Sequence, residues 1–204
     1  RGWFKNPFKK FCDRNKIMTA PWKIVKSSED IEKFGLPSVL KSSSGGSSRE
    51  VGILKSARDL KRKACQDLLK SGYNLFVEKY LPGIEVTVGI FNNQALPVIE
   101  IIPPSRGWFD YRNKYSGATQ EIVGAPSLDE KLKNTVQQIA LTIHQTFNLG
   151  PYSRIDFMVF RNIPYVLEIN TIPGLTSQSL FPKAAQAIGI AFPRLLDQMV
   201  KMSL

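Results

Sequence analysis

From Arg154 to Asn170 apolar and polar residues alternate on either side of a short polar turn. The run is Arg154-Ile155-Asp156-Phe157-Met158-Val159-Phe160, then Arg161-Asn162-Ile163, then Pro164-Tyr165-Val166-Leu167-Glu168-Ile169-Asn170. Successive side chains of a strand point to opposite faces, so the pattern predicts a β-hairpin. Arg154, Asp156 and Met158 then share one face, and Ile155, Phe157 and Val159 the other. On the return strand Val166, Glu168 and Asn170 share a face. With residues 161–163 as the turn, Asp156 falls opposite Glu168 and Arg154 opposite Asn170. Carboxylates facing each other repel. A hard divalent cation between them removes that penalty, and Asp, Glu and Asn oxygens suit magnesium. Magnesium commonly takes only one or two carboxylates and keeps phosphate oxygens in its shell, so the pattern favours a nucleotide-bound metal. The alternative is an exposed hairpin with scattered polar residues. Against it stands the polar, Gly-containing loop that follows directly, Thr171-Ile172-Pro173-Gly174-Leu175-Thr176-Ser177-Gln178-Ser179.

The rest of the chain bounds the context of this hairpin. Its 204 residues suit one large domain or two small ones, and 43% hydrophobic residues support a buried core. No apolar run reaches the roughly 18 residues of a membrane span, so none is expected. The start, Arg1-Gly2-Trp3-Phe4-Lys5, has no initiator Met and no signal-peptide core, and reads as a chain whose beginning is missing. Cys12 and Cys65 match no metal spacing or disulfide framework, so both are expected to be reduced thiols, as in the cytoplasm. His144, the only histidine, sits on the polar side of a helix pattern and is expected at the surface. A single histidine argues against His-based metal sites or triads. The net charge of +11 favours polyanions. Without a nucleic-acid motif beside it, nucleotide phosphates suffice and no nucleic-acid partner is expected.

Strands are expected at 21–25, 37–41, 51–54 and 74–80, with helices at 27–34 and 56–69. Between them lies the small-residue loop Ser42-Ser43-Ser44-Gly45-Gly46-Ser47-Ser48. Strands at 84–91 and 95–102, joined at Asn92-Asn93, form a second hairpin. Pro103 to Pro126 shows no periodicity, and loops of that length inside a domain are often functional lids. Ser127-Leu128-Asp129-Glu130 reads as a capping box before a helix with Leu132, Val136, Ile139, Ile143 and Phe147 on one face. Helical segments near 183–187 and 192–202 close the chain. The fold class is α+β: a leading segment 1–20, a small α+β subdomain 21–83, and a larger one, 84–204, holding the metal site.

Three blocks make a resemblance specific. They are Arg154-Ile155-Asp156-Phe157 with Leu167-Glu168-Ile169-Asn170-Thr171-Ile172-Pro173-Gly174-Leu175-Thr176; Phe76-Val77-Glu78-Lys79-Tyr80-Leu81-Pro82-Gly83-Ile84-Glu85-Val86-Thr87-Val88; and Phe109-Asp110-Tyr111 with Lys114-Tyr115. Nearly end to end, the chain resembles the C-terminal part of the D-alanine–D-alanine ligases, members of the ATP-grasp superfamily. The resemblance implies two α+β subdomains with ATP between them, and the joining of two D-alanines through an acyl phosphate for peptidoglycan.

It also implies roles. Asp156, Glu168 and Asn170 would bind magnesium, or manganese in its place, bridging the ATP phosphates. Lys10 and Lys41 resemble the family's phosphate-facing lysines, and Ser47 its phosphate-covering serine, although Arg49-Glu50 looks like an insertion there. Glu78, Lys79, Tyr80 and Leu81 resemble the hinge strand that meets adenine, and Glu85 the carboxylate that meets ribose. Arg154 and the Gly174 N–H would stabilise the oxyanion. Ser179 and Lys114 would hold the second substrate's carboxylate. Lys114 and Tyr115 lie in the expected lid, where Tyr rather than His implies an amine nucleophile. Gln178 stands where the family commonly has His. Family members begin with a further α/β domain and would act as homodimers at full length. This stretch alone is therefore expected to hold the nucleotide site without completing ligation. Other expectations in view are a nucleotide-binding fragment and a carboxylate–amine ligase for another amino acid.

Overall fold

The computed structural model of the chain describes residues 5–43, 51–104 and 119–203. The elements are α1 (Lys5–Arg14), β1 (Trp22–Val25), α2 (Ser28–Phe34), β2 (Ser38–Ser42), β3 (Val51–Leu54), α3 (Ala57–Leu60), α4 (Lys63–Lys70) and β4 (Leu75–Lys79). Then follow β5 (Ile84–Phe91), β6 (Gln94–Ala95), β7 (Ile99–Ile102), β8 (Gln120–Val123), α5 (Glu130–Thr146), β9 (Tyr152–Phe160), β10 (Ile163–Asn170), α6 (Leu180–Ala187) and α7 (Phe192–Ser203).

Two antiparallel sheets organise them. The first has the order β1-β4-β2-β3. Its apolar residues Val25, Leu40, Leu54, Leu75 and Val77 pack with Ile31 of α2, Leu60 of α3 and Cys65 of α4. The second runs β10-β9-β5-β7-β8, with β6 paired to β5. One face of its central strands, Val86, Val88 and Ile90 with Ile155, Phe157 and Val159, forms a core with Val136, Ala140 and Ile143 of α5 and with Phe8 and Cys12 of α1. A third cluster joins Phe91, Leu96, Ile99 and Ile101 to Leu180 and Phe181 of α6 and to Leu195 and Met199 of α7.

Several local expectations are corrected. The segment 56–69 is two helices, because Arg62 adopts extended backbone and Asp59 accepts from the N–H groups of Lys55 and Ser56 at the first helix's start. The strand expected at 95–102 is interrupted at Pro97, which cannot donate to a ladder, leaving β6 and β7. The aperiodic stretch 103–126 contains β8, which extends the sheet beside β7. The cap of α5 is Asp129, whose carboxylate accepts from Leu132 N–H at 2.7 Å. Ser127 instead donates through N–H and Oγ to the buried Glu100 carboxylate, at 3.1 and 2.7 Å. His144 is buried, 2% exposed, with Nδ1 2.7 Å from Ser153 Oγ. It lies one turn beyond Ala140 on the sheet-facing stripe, and burial lowers its pKa.

The hairpin itself differs from expectation in two compensating ways. Its turn is Arg161-Asn162 alone, both at positive φ, 52° and 60°, so Phe160 pairs with Ile163. A bulge between Val166 and Glu168 then shifts the register by one, and Glu168 still meets Asp156 and Asn170 still meets Arg154. The bulge also moves Val166 off the polar face. Val166 is fully buried in the core, while Leu167, Glu168 and Asn170 line the opposite side.

Gly83 marks the entry into β5, where a Cβ would fall 2.2 Å from the Val159 carbonyl oxygen. Backbone cannot yield as a side-chain tip can, so Gly83→Ala is expected to destabilise the protein by about 2–3 kcal/mol in urea unfolding. Gly52, whose Cβ would meet nothing within 4 Å, provides the contrast: Gly52→Ala should leave the midpoint nearly unchanged.

Candidate nucleotide and metal site

Between the two sheets lies a cavity of about 1120 Å³, slightly larger than ordinary ligand pockets. Lys41, Glu78 and Lys79 reach it from the first sheet, followed by Tyr80 and Leu81 of the connecting stretch. Glu85, Arg154, Asp156, Glu168 and Asn170 reach it from the second, and Gly174 and Ser179 from the loop before α6. Thus most of the sequence-predicted residues meet in one space. Ser47, Lys114 and Tyr115 lie outside the described residues.

The hairpin end is a polar network centred on Asp156. Arg154 donates from Nε to Oδ1 and from Nη2 to Oδ2, both at 2.8 Å. Asn170 Nδ2 donates to Oδ2 at 2.8 Å, and Thr87 Oγ1 to Oδ1 at 2.5 Å. Thr87 sits directly opposite Asp156 on β5, so strand register alone brings it there. Burial works against the Arg154 charge, but the adjoining Asp156 carboxylate outweighs it and raises the guanidinium pKa. Glu168 lies 3.6 Å from Lys5 Nζ. Among the described residues no three His, Cys, Asp or Glu side chains cluster to hold a metal unaided. Two paired carboxylates and an amide fit magnesium, which takes few protein ligands and shares its shell with phosphate.

The opposite wall holds a buried ionic cluster. The Glu78 carboxylate, 2% exposed, pairs with Lys41 Nζ through Oε1 and with Lys9 Nζ through Oε2, the latter at 2.8 Å. Burial pushes the Glu78 pKa up, yet the two ammonium groups more than reverse this and bring it down to about 2. Burial also acts against the charge of both lysines. It prevails at Lys9, which is lowered, whereas at Lys41 the carboxylates, Glu78 foremost, leave the pKa raised.

This cluster corrects the expectation for Lys10. Lys10 is exposed and does not line the cavity, whereas Lys9 is fully buried beneath Glu78. The helical repeat decides between them, because Phe8 and Cys12 turn their side of α1 inward and carry Lys9 with them. Lys9, Thr87 and Lys5 were not singled out from sequence. Thr87 could have been found by pairing β5 with β9.

After the hairpin, the loop folds back tightly. Ser179 Oγ lies 2.9 Å from Thr176 Oγ1 and accepts from Thr176 N–H at 3.2 Å. A Cβ on Gly174 would lie 2.8 Å from that Ser179 oxygen, so glycine permits the close approach of its backbone.

Glu78 ionises well below its ordinary 4.5 in the folded chain. Its contribution is therefore complete above that value and is lost as pH falls towards about 2. Glu78→Gln, which leaves Lys9 without its buried counter-charge, should cost about 3–5 kcal/mol in urea unfolding at neutral pH. The gap between variant and parent should narrow as pH falls from 4.5 towards 2.

Comparison with known proteins accords with this geometry. A family model described as "D-ala D-ala ligase C-terminus" matches residues 6–201. A D-alanine–D-alanine ligase of Clostridium botulinum (strain Loch Maree / Type A3) is 39% identical over 206 aligned positions, covering 98% of this chain and 67% of the relative. The same enzyme from strain 657 / Type Ba4 is 40% identical with the same coverage. Among solved structures, D-alanine–D-alanine ligase from Bacillus anthracis superimposes with a TM-score of 0.83 at 35% identity, over 98% of this chain and 67% of that one. A structure of the B. anthracis enzyme complexed with ATP gives 0.80 at 32% identity, over 98% of this chain and 65% of that one. The two sheets with a cavity between them are thus an α+β ATP-grasp fold, and the chain belongs to the D-alanine–D-alanine ligase family, spanning 67% of the length of the two C. botulinum relatives.

Proposed function

We propose that the protein joins two molecules of D-alanine in an ATP-dependent reaction, giving D-alanyl-D-alanine, ADP and phosphate for peptidoglycan synthesis. The observation that carries this reading is the convergence on one cavity of the Asp156–Glu168 pair, the buried Arg154 and the Lys41–Glu78 pair. Family membership supplies the substrate.

In this reading ATP lies between the sheets. Glu78, Lys79, Tyr80 and Leu81 meet the adenine, largely through backbone groups, Glu85 meets the ribose hydroxyls, and Lys41 the phosphates. Asp156, Glu168 and Asn170 are the residues that hold magnesium, or manganese in its place, which when bound neutralises phosphate charge. The carboxylate of the first D-alanine attacks the γ-phosphorus and ADP leaves, forming an acyl phosphate. The amine of the second D-alanine attacks the acyl carbon, phosphate leaves, and the nitrogen loses a proton. Arg154 and the Gly174 N–H stabilise the oxyanion between these events. Ser179 and Lys114 receive the second carboxylate, Ser47 and Tyr115 cover the reacting groups, and Tyr115 in place of His suits an amine nucleophile. Residues 21–83 and 84–204 form the two subdomains that enclose the nucleotide. No helix among the described residues is long and apolar enough to cross a membrane. We assign the reaction to the cytoplasm, where ATP is available.

Phosphate release by the full-length protein should require D-alanine, ATP and magnesium together. Release driven by another amino acid and not by D-alanine would overturn the substrate assignment. Arg154→Ala should lower kcat by about 100- to 1000-fold, with a much smaller change in KM for ATP. The full-length protein is expected to be a homodimer, and light scattering coupled to gel filtration should return twice the chain mass.

A further inference from the structure

The cavity-facing pair Lys41–Glu78 is continued beneath the surface by residues outside the proposed contact set. Glu78 meets the buried Lys9 at 2.8 Å. Lys9 Nζ in turn donates to Thr19 Oγ1. Thr19 Oγ1 donates its one hydrogen to the carbonyl oxygen of Val166 at 2.9 Å. Val166 is the residue at which β10 bulges, two positions before Glu168. A continuous chain, Lys41–Glu78–Lys9–Thr19–Val166, therefore runs from one wall of the cavity to the strand carrying the other wall's carboxylate.

The backbone around Thr19 straps the same two walls together. Met18 O accepts from Val166 N–H at 2.9 Å, on the side of the second sheet. Three residues later Pro21 O accepts from Lys79 N–H at 2.8 Å, and β1 then pairs with β4 in the first sheet. Thr19 sits within this strap, where its hydroxyl is both acceptor and donor. A buried ammonium needs each of its hydrogens directed to an acceptor. Thr19 Oγ1 accepts one of them, and Glu78 Oε2 stands 2.8 Å from Lys9 Nζ as its ion-pair partner.

We infer that Thr19 is a positioning residue for the nucleotide-facing charges: through Lys9 and Glu78 its hydroxyl fixes Lys41 relative to the metal-side hairpin. Thr19 touches no reacting atom. Removing its hydroxyl frees the Lys9 ammonium to draw Glu78 towards itself and away from Lys41. The change is felt by ligands that carry phosphates and not by those that lack them. The inference rests on the reading of Lys41 as a phosphate-facing cation.

The test is calorimetric titration of the full-length protein with ATP plus magnesium and, separately, with adenosine. Thr19→Val keeps the shape and removes the hydroxyl. It should weaken ATP binding about tenfold and leave adenosine affinity unchanged. Thr19→Ser restores the hydroxyl and should recover most of the ATP affinity. Thr19→Ala is the second hydroxyl-free variant, judged by the same criterion should valine disturb folding. Parental ATP affinity in a folded hydroxyl-free variant overturns the inference. So does equal weakening of ATP and adenosine, or loss of fold in both hydroxyl-free variants, since each marks a purely structural role. Lys41→Ala separates the two levels: if it spares ATP affinity, the phosphate-site reading itself fails. If it weakens ATP alone while the Thr19 variants bind normally, only the inference about Thr19 falls.

Discussion

A carboxylate shut away from water survives as an anion only where cations replace the lost hydration. Glu78 has two, Lys9 from α1 and Lys41 from β2. Removing such ions from water costs several kcal/mol each, and the mutual attraction offsets that cost only if the geometry is held. Three separate elements supply these charges, so the cluster locks α1 against the first sheet. The same helix inserts Phe8 and Cys12 into the core of the second sheet. One short helix is thus held by charge on one side and by apolar packing on the other. The two walls of the cavity are set apart at a fixed spacing as a result.

The second sheet divides its labour by alternation. On β5 and β9 the residues Val86, Val88, Ile155 and Phe157 face α5 and are fully buried. Their neighbours Glu85, Thr87, Arg154 and Asp156 face the other way. A polar face this enclosed is stable only when each group finds a partner. Thr87, Arg154 and Asn170 all meet that requirement on the one carboxylate of Asp156. The candidate ligand is therefore held from three strands at once, which suits a site that must keep its geometry while phosphates move.

Alternation is also what made this face legible in sequence. Asp156 and Glu168 announce themselves because a strand has period two and the hairpin is local. Glu78 and Lys41 could be assigned only by resemblance, since their pairing joins strands far apart in sequence and nothing periodic links them. The choice between Lys9 and Lys10 turned on one step of a helical wheel, and the apolar stripe of α1 is too short to settle it without the sheet beneath. His144 misled for a different reason: the stripe through Leu132, Val136, Ile139, Ile143 and Phe147 leaves it on the polar side, whereas in the folded helix it lies one turn beyond Ala140 and turns inward against Ser153.

The hairpin shows why a correct pairing can rest on incorrect local geometry. A three-residue turn and a regular ladder would also oppose Asp156 to Glu168. The structure instead spends only Arg161 and Asn162 on the turn and inserts the extra residue at Leu167. The two routes agree at the carboxylates and differ at Val166. In a regular ladder Val166 would share the face of Glu168, and a valine would stand among the polar groups. With the bulge, Val166 enters the core and its backbone N–H and carbonyl turn to Met18 and Thr19. The extra residue therefore does three things together: it keeps the carboxylates opposed, clears an apolar side chain from the polar face, and frees the backbone groups that tie the metal-side strand to the strap leading into the first sheet. A bulge is a local defect in pairing. Here it is the point at which the two halves of the site are joined.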